Sequence, residues 1–183
     1  MTYATESIRQ HCTAQCRITS PLGTLLLART EAGLAGAWFE DQRHHPVEID
    51  AVERPDDPLL AVAAEQLRAY FAGEACDFDV ALDLQGTAFQ RAVWAELLRI
   101  APGATRSYGD IARRLGAPTA SRAVGAAVGR NPVSIIVPCH RVVGSSGALT
   151  GYAGGLDRKT ALLRLEAEHR SRAGSRSLQM ELH

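Results

Sequence analysis

The chain changes character near residue 84, and that change limits its architecture more than any other feature. Residues 1–83 carry 6 basic and 14 acidic side chains, a balance of −8, whereas residues 84–183 carry 14 basic and 6 acidic, a balance of +8. The zero net charge therefore conceals two modules of opposite sign. The basic half suits a polyanionic partner, although the two halves also attract each other. At 183 residues and 46% apolar content, one or two small domains with real cores are expected.

The patterning changes at the same place. Before it, Cys16–Thr19 leads through Ser20-Pro21-Leu22-Gly23 into a second strand, Thr24–Arg29. Thr30-Glu31-Ala32-Gly33 turns into a third, Leu34–Phe39. Residues 40–57 are polar and read as a loop. Asp57-Pro58 opens a helix on which Leu60, Ala63, Ala64, Leu67, Tyr70 and Phe71 recur at helical spacing, and Gly73 ends it. Residues 74–86 read as a linker with one short strand.

After it, helices dominate. Thr87-Ala88-Phe89-Gln90 is a capping box, followed by a stripe of Phe89, Val93, Leu97 and Ile100 that Pro102-Gly103 stops. Trp94 falls on the apolar face of that helix and reads as core. Two short helices, Tyr108–Leu115 and Ala120–Gly129, flank Gly116-Ala117-Pro118-Thr119. That is helix-turn-helix spacing, which any helical hairpin also gives. Ile135–Val137 reads as a buried strand and Gly144–Gly155 as a glycine-rich loop. Asp157 reads as the cap of a last helix carrying Leu162, Leu163 and Leu165. The expected division is an α/β domain over 1–83, a mostly α domain over 84–168 and a flexible tail over 169–183.

The helix at 120–129 is thin: Ala120, Ala123, Gly125, Ala126, Ala127 and Gly129 leave Arg122 as its one early long side chain. An ordinary helix is about 10–12 Å across and the DNA minor groove about 6 Å wide, so a small-residue helix suits the narrower groove. The same composition also lets helices pack closely.

Pro138-Cys139-His140-Arg141-Val142-Val143 places a thiol beside a base directly after the apolar run. Thiolate is the reactive form of cysteine, and a neighbouring base or cation favours it. A buried structural cysteine beside a chance histidine has the same local sequence. The other cysteines, Cys12, Cys16 and Cys76, do not suggest a disulfide scaffold. Cys12 and Cys16 with His11, or the pair His44-His45, are candidate metal donors, but the C-x3-C spacing has no second ligand pair at zinc-finger distance. No metal or cofactor is expected. Met1–Glu6 lacks the basic and apolar regions of a signal peptide and no run spans a bilayer, so a cytoplasmic protein without membrane contact is expected.

Several of these motifs together resemble a known family. They are Phe89-Gln90-x-x-Val93-Trp94, Ser107-Tyr108-Gly109, Ser121-Arg122-Ala123-Val124-Gly125, Gly129-Arg130-Asn131-Pro132, Pro138–Val143 and Thr150-Gly151-Tyr152-Ala153-Gly154-Gly155. The chain resembles the O6-alkylguanine-DNA alkyltransferases, especially the stand-alone bacterial ones, densely over 87–168 and more loosely over 16–86. Residues 1–15 and 169–183 find no counterpart.

The resemblance implies a ribonuclease H-like first domain and a winged helix-turn-helix second domain. It implies repair by irreversible transfer of an alkyl group from guanine O6, and from thymine O4, to Cys139, once per molecule. His140 would deprotonate the thiol through a water, Glu166 would orient His140, and Asn131 would be the hinge before the Cys139 segment. Tyr108, Val142, Tyr152 and Ala153 would bind the flipped base. Ala120, Ser121, Ala123, Gly125, Ala126 and Arg130 would meet DNA, with Arg122 as the finger entering the stack. The partner would be double-stranded DNA and the protein a monomer able to cluster on it.

From the residues alone, Glu166 reads as a solvated helix position, and Tyr108 and Tyr152 read as core-edge tyrosines with satisfied hydroxyls. Val128 departs from the family, many bacterial members having Asn there, and is expected near DNA or the pocket. Two other functions use the same features: a DNA-binding regulator with Cys139 as sensor, and a cysteine hydrolase built on Cys139-His140.

Overall fold

A computed structural model describes residues 8, 10–46 and 48–180, with residues 173–180 described by their backbone alone. The three expected strands form as β1 (Ala14–Ser20), β2 (Gly23–Arg29) and β3 (Leu34–Phe39). The β1–β2 hairpin closes at Ser20 and Gly23, where Gly23 has φ +114° and Ser20 Oγ donates to the Gly23 carbonyl at 2.6 Å. Only glycine takes that conformation at low cost. A fourth strand, β4 (Val52–Glu53), pairs parallel to β1 inside the stretch expected to be loop. The sheet order is β3-β2-β1-β4.

Helix α1 (Pro58–Phe71) starts as expected, the Asp57 side chain accepting from Leu59 N and Leu60 N. It packs on one face of the sheet, where Cys16, Leu25, Leu27, Phe39, Leu67 and Tyr70 join the main core. The other face carries a smaller cluster of Ile8, Cys12, Leu26, Ala28, Ala35, Trp38 and Ile49. Cys12 and Cys16 thus belong to different cores on opposite sides of the sheet.

The main core runs on into the basic module. Helix α2 (Ala88–Leu98) carries the full capping box between Thr87 and Gln90. Phe89, expected on its buried stripe, is exposed, and Trp94 takes the buried place, donating from Nε1 to the Ala127 carbonyl at 2.9 Å. A short strand β5 (Arg106–Ser107) precedes α3 (Tyr108–Arg114), which Ser107 and Asp110 cap. Helix α4 (Ser121–Gly129) follows the turn. Glu96 on α2 pairs with Arg114 at 2.6 Å, fixing α3 against α2.

The run Ile135–Val137 is not a strand. Val133 makes a single parallel bridge to Ala37 at the free edge of β3, and the chain then turns. Ala37 N donates to the Pro132 carbonyl at 2.9 Å and Ser134 N to the Ala37 carbonyl at 2.8 Å. Ile135 has φ +74°, a region that a β-branched residue enters only when its surroundings enforce it. Burial without pairing explains why an apolar run mimicked a strand. A 3-10 helix, Cys139–Arg141, and strand β6 (Val142–Val143), parallel to β5, complete the turn.

Helix α5 spans Leu156–Met180. Asp157 lies in its first turn instead of capping it, and the backbone of 169–180, expected as a tail, continues the helix. Among the described residues no helix is long and apolar enough to cross a membrane.

Candidate active site

The turn between α4 and the 3-10 helix is organised by one side chain. Asn131, buried just past the end of α4, accepts from Val133 N at 3.0 Å and donates from Nδ2 to the Val137 carbonyl at 2.7 Å. The same Nδ2 lies 3.0 Å from Cys139 Sγ. One amide therefore holds the left-handed turn closed and aims a donor at the sulfur.

Cys139 is buried, and burial pushes its thiol up to about 11. The Asn131 amide, the backbone amides of Cys139 and His140, and the Lys159 charge pull the other way. The resting group is a neutral thiol surrounded by groups that favour its anion, an arrangement that needs a base to collect the proton.

His140 is fully buried and its Nε2 lies 2.7 Å from Glu166 Oε1. Burial, the larger effect, lowers its pKa although Glu166 opposes this. A neutral ring facing a carboxylate carries its proton on Nε2, which leaves Nδ1 as the acceptor. Nδ1 is buried and has no hydrogen-bond partner among the described residues.

Glu166, expected from the residues alone as a solvated position, is fully buried on α5. It collects donors from four residues in three segments: Tyr70 at 2.8 Å, Gly103 N at 2.9 Å, and, from the 3-10 helix, His140 and Arg141, the latter through Nε and Nη2 at 2.8–3.1 Å. Burial raises its pKa, but the hydrogen bonds and charges of His140 and Arg141 outweigh that and hold the carboxyl well below its usual range. Arg141 also donates to the Ile100 carbonyl. It is the counter-ion that lets an ionised carboxylate sit in the core.

Tyr70, Arg141 and Lys159 are the parts of this site that sequence reading missed. Arg141 lies inside the motif with no role that the sequence assigns, Tyr70 falls on the buried stripe of its helix, and Lys159 is the single lysine of the chain. Lys159 is fully buried, its Nζ donating to the carbonyls of Val142 at 2.5 Å and Thr150 at 2.6 Å. It ties the glycine-rich loop to the strand after the nucleophile.

The remaining candidates fall into two groups. Val142 and Tyr152 are buried, Tyr152 in the same core as Cys139, and the Ala153 carbonyl accepts from Arg43 N at 2.9 Å. Tyr108 is half-buried, and its hydroxyl donates towards the carbonyls of Thr150 at 3.1 Å and Gly151 at 3.2 Å. Tyr108, Ser121, Arg122, Gly125 and Ser145 line a cleft of about 500 Å³. Arg122, Ala123, Ala126 and Arg130 are exposed along α4, and Ala120 is half-buried. Val128, expected near DNA or the pocket, is instead buried in the main core, so its change from Asn bears on packing.

A buried thiol next to an imidazole held by a carboxylate, in a module that exposes Arg122 and Arg130 along a thin helix, is an arrangement with which a protein can do nucleophilic chemistry beside a polyanion. The family described as 6-O-methylguanine DNA methyltransferase matches twice: its DNA binding domain over residues 88–168 and its ribonuclease-like domain over 17–84. The methylated-DNA--protein-cysteine methyltransferase of Mycolicibacterium paratuberculosis is 53% identical over 152 residues, 83% of this chain and 91% of its own. That of Methanosarcina acetivorans is 50% identical over 147 residues, 80% of this chain and 94% of its own. The crystal structure of Mycobacterium tuberculosis OGT in complex with DNA is similar with a TM-score of 0.80 and 50% identity, covering 86% of this chain and 94% of that one. The chain belongs to the 6-O-methylguanine DNA methyltransferase family.

Proposed function

We propose that this protein repairs DNA by transferring an alkyl group from guanine O6, and from thymine O4, to its own Cys139. The observation that carries the reading is the Cys139 sulfur 3.0 Å from the Asn131 amide, next in sequence to a buried His140 that Glu166 holds at 2.7 Å. The thiol proton passes by way of a water to His140 Nδ1. The sulfur displaces the base oxygen at the alkyl carbon, so an S–C bond forms as the O–C bond breaks. The base leaves as an anion and recovers a proton equivalent to the one the thiol gave up. No cofactor or co-reactant is required. The thioether has no route back, so each molecule acts once.

Helices α3 and α4 serve as the helix-turn-helix of a winged domain over 84–168, joined to the α/β domain over 1–83. Arg122 enters the duplex from the minor groove and occupies the place of the extruded nucleotide, while Ala120, Ser121, Ala123, Gly125, Ala126 and Arg130 follow the groove. Tyr108, Val142, Tyr152 and Ala153 hold the flipped base. The protein works as a cytoplasmic monomer on double-stranded DNA and can cluster there.

Incubation with a duplex containing O6-methylguanine, followed by peptide mass spectrometry, tests this. One methyl group is expected per chain, on Cys139, and none on Cys139→Ser. Methyl on Cys12, Cys16 or Cys76, or repeated turnover as a hydrolase would give, overturns it. No transfer at all would leave the regulator reading.

A further inference from the structure

The oxygen of Glu166 that pairs with His140 also takes the Tyr70 hydroxyl, at 2.8 Å. Tyr70 belongs to α1, in the acidic module, and is fully buried. Its ring is held edge-on by Phe71 at 5.6 Å and tilted against Phe78 at 5.5 Å. Phenylalanine would fill the same volume, and a buried hydroxyl is costly unless it is paired. Burial, with Glu166 adding to it, holds this phenol protonated far beyond the ordinary range. Towards the carboxylate it acts as a donor.

We propose that Tyr70 is a positioning residue for alkyl transfer: its hydrogen bond draws on the negative charge of Glu166 Oε1 and so sets how readily His140 accepts the Cys139 proton. The inference rests on the reading of Cys139 as acceptor. It gives the acidic module a share in the chemistry.

The other ionisable groups facing this pair are Arg141 and Lys159, whose charges lower His140, together with Cys139 and Cys76. Cys76 is pushed up to about 11 by burial and by Glu166, and so stays neutral. Among the described side chains that donate to Glu166, Tyr70 is the one that can be removed without changing a charge or taking away the base itself.

The test is the single-turnover rate of Cys139 alkylation by the free base O6-benzylguanine between pH 5 and 9, which leaves DNA binding out. In Tyr70→Phe, more of the carboxylate charge faces His140 and favours its protonated form. The acid limb of the profile should move up by about half a unit to one unit. Rates on that limb should fall about 3–10-fold and meet the wild type at high pH. Replacing Tyr70 with 3-fluorotyrosine, a stronger donor, should move the limb down. A limb unmoved in both variants, or a loss equal at every pH as a packing defect would give, overturns the proposal. If the wild-type protein itself places no benzyl group on Cys139, the acceptor reading fails and this inference with it. Transfer by the wild type with unmoved variants refutes the role of Tyr70 alone.

Discussion

Three thiols in this protein, Cys12, Cys76 and Cys139, are pushed up to about 11 by burial. Resting acidity therefore does not single out Cys139. Its partners do, above all the Asn131 amide 3.0 Å from the sulfur. A hydrogen bond to a developing charge is worth about 1.5–3 kcal/mol, so Asn131→Ala should slow alkylation by about 10–100-fold at pH 7. The same change frees the Val133 and Val137 backbone groups and should also lower the melting temperature. Asn131→Asp separates the two effects. It keeps the oxygen that Val133 N uses but sets a negative charge against the thiolate, so transfer should fall at least as far as in the alanine variant. Single-turnover alkylation with O6-benzylguanine measures both, and transfer at the wild-type rate in either variant would remove Asn131 from the chemistry.

Helices α3 and α4 present Arg122 at the edge of a cleft shared with Tyr108. If Arg122 stabilises an extruded base, Arg122→Ala should slow repair of duplex DNA by about tenfold or more, since extrusion costs a few kcal/mol. Reaction with free O6-benzylguanine needs no extrusion and should stay within about twofold. Equal losses on the two substrates would assign Arg122 to the fold or the pocket. Helices α1 to α4 were legible in the sequence because their signals are local: Asp57 before Pro58, the Thr87–Gln90 capping box and the Gly116 turn all lie within a few residues of what they control. The Cys139 turn was not legible, because Ile135-Ile136-Val137 has the composition of a strand and nothing local announces φ +74° at a β-branched residue. The roles of Tyr70 and Lys159 were hidden for another reason. Their partners stand far off in sequence, and helical periodicity reports that a side chain is inside without saying what it meets there.

The acidic module braces the site from several sides. Besides Tyr70, Gln42 Oε1 accepts from Ser134 Oγ at 3.0 Å, and Arg43 N reaches the Ala153 carbonyl. Arg158 at the start of α5 bonds the Leu22 carbonyl at 2.8 Å, pairs with Asp41 at 2.8 Å and lies over the Phe39 ring. The basic module is thereby left with its exposed arginines facing outward. Its balance of +8 predicts DNA affinity that falls steeply between 50 and 200 mM salt and depends little on sequence. Arg130→Ala should reduce the slope of log affinity against log salt by about one if it touches a phosphate. Fluorescence anisotropy with a labelled duplex measures it, and a wild-type affinity insensitive to salt would contradict the role given to the charge split.

The left-handed turn at Ile135 has a consequence for a protein that reacts once. An enzyme with turnover recovers the cost of a strained, preorganised nucleophile over many cycles, whereas here each chain meets that cost in full during folding and uses it for a single event. In return the turn, closed by the Asn131 amide, fixes the backbone around the sulfur before any partner arrives. Ile135 is thus a place where stability has been exchanged for readiness.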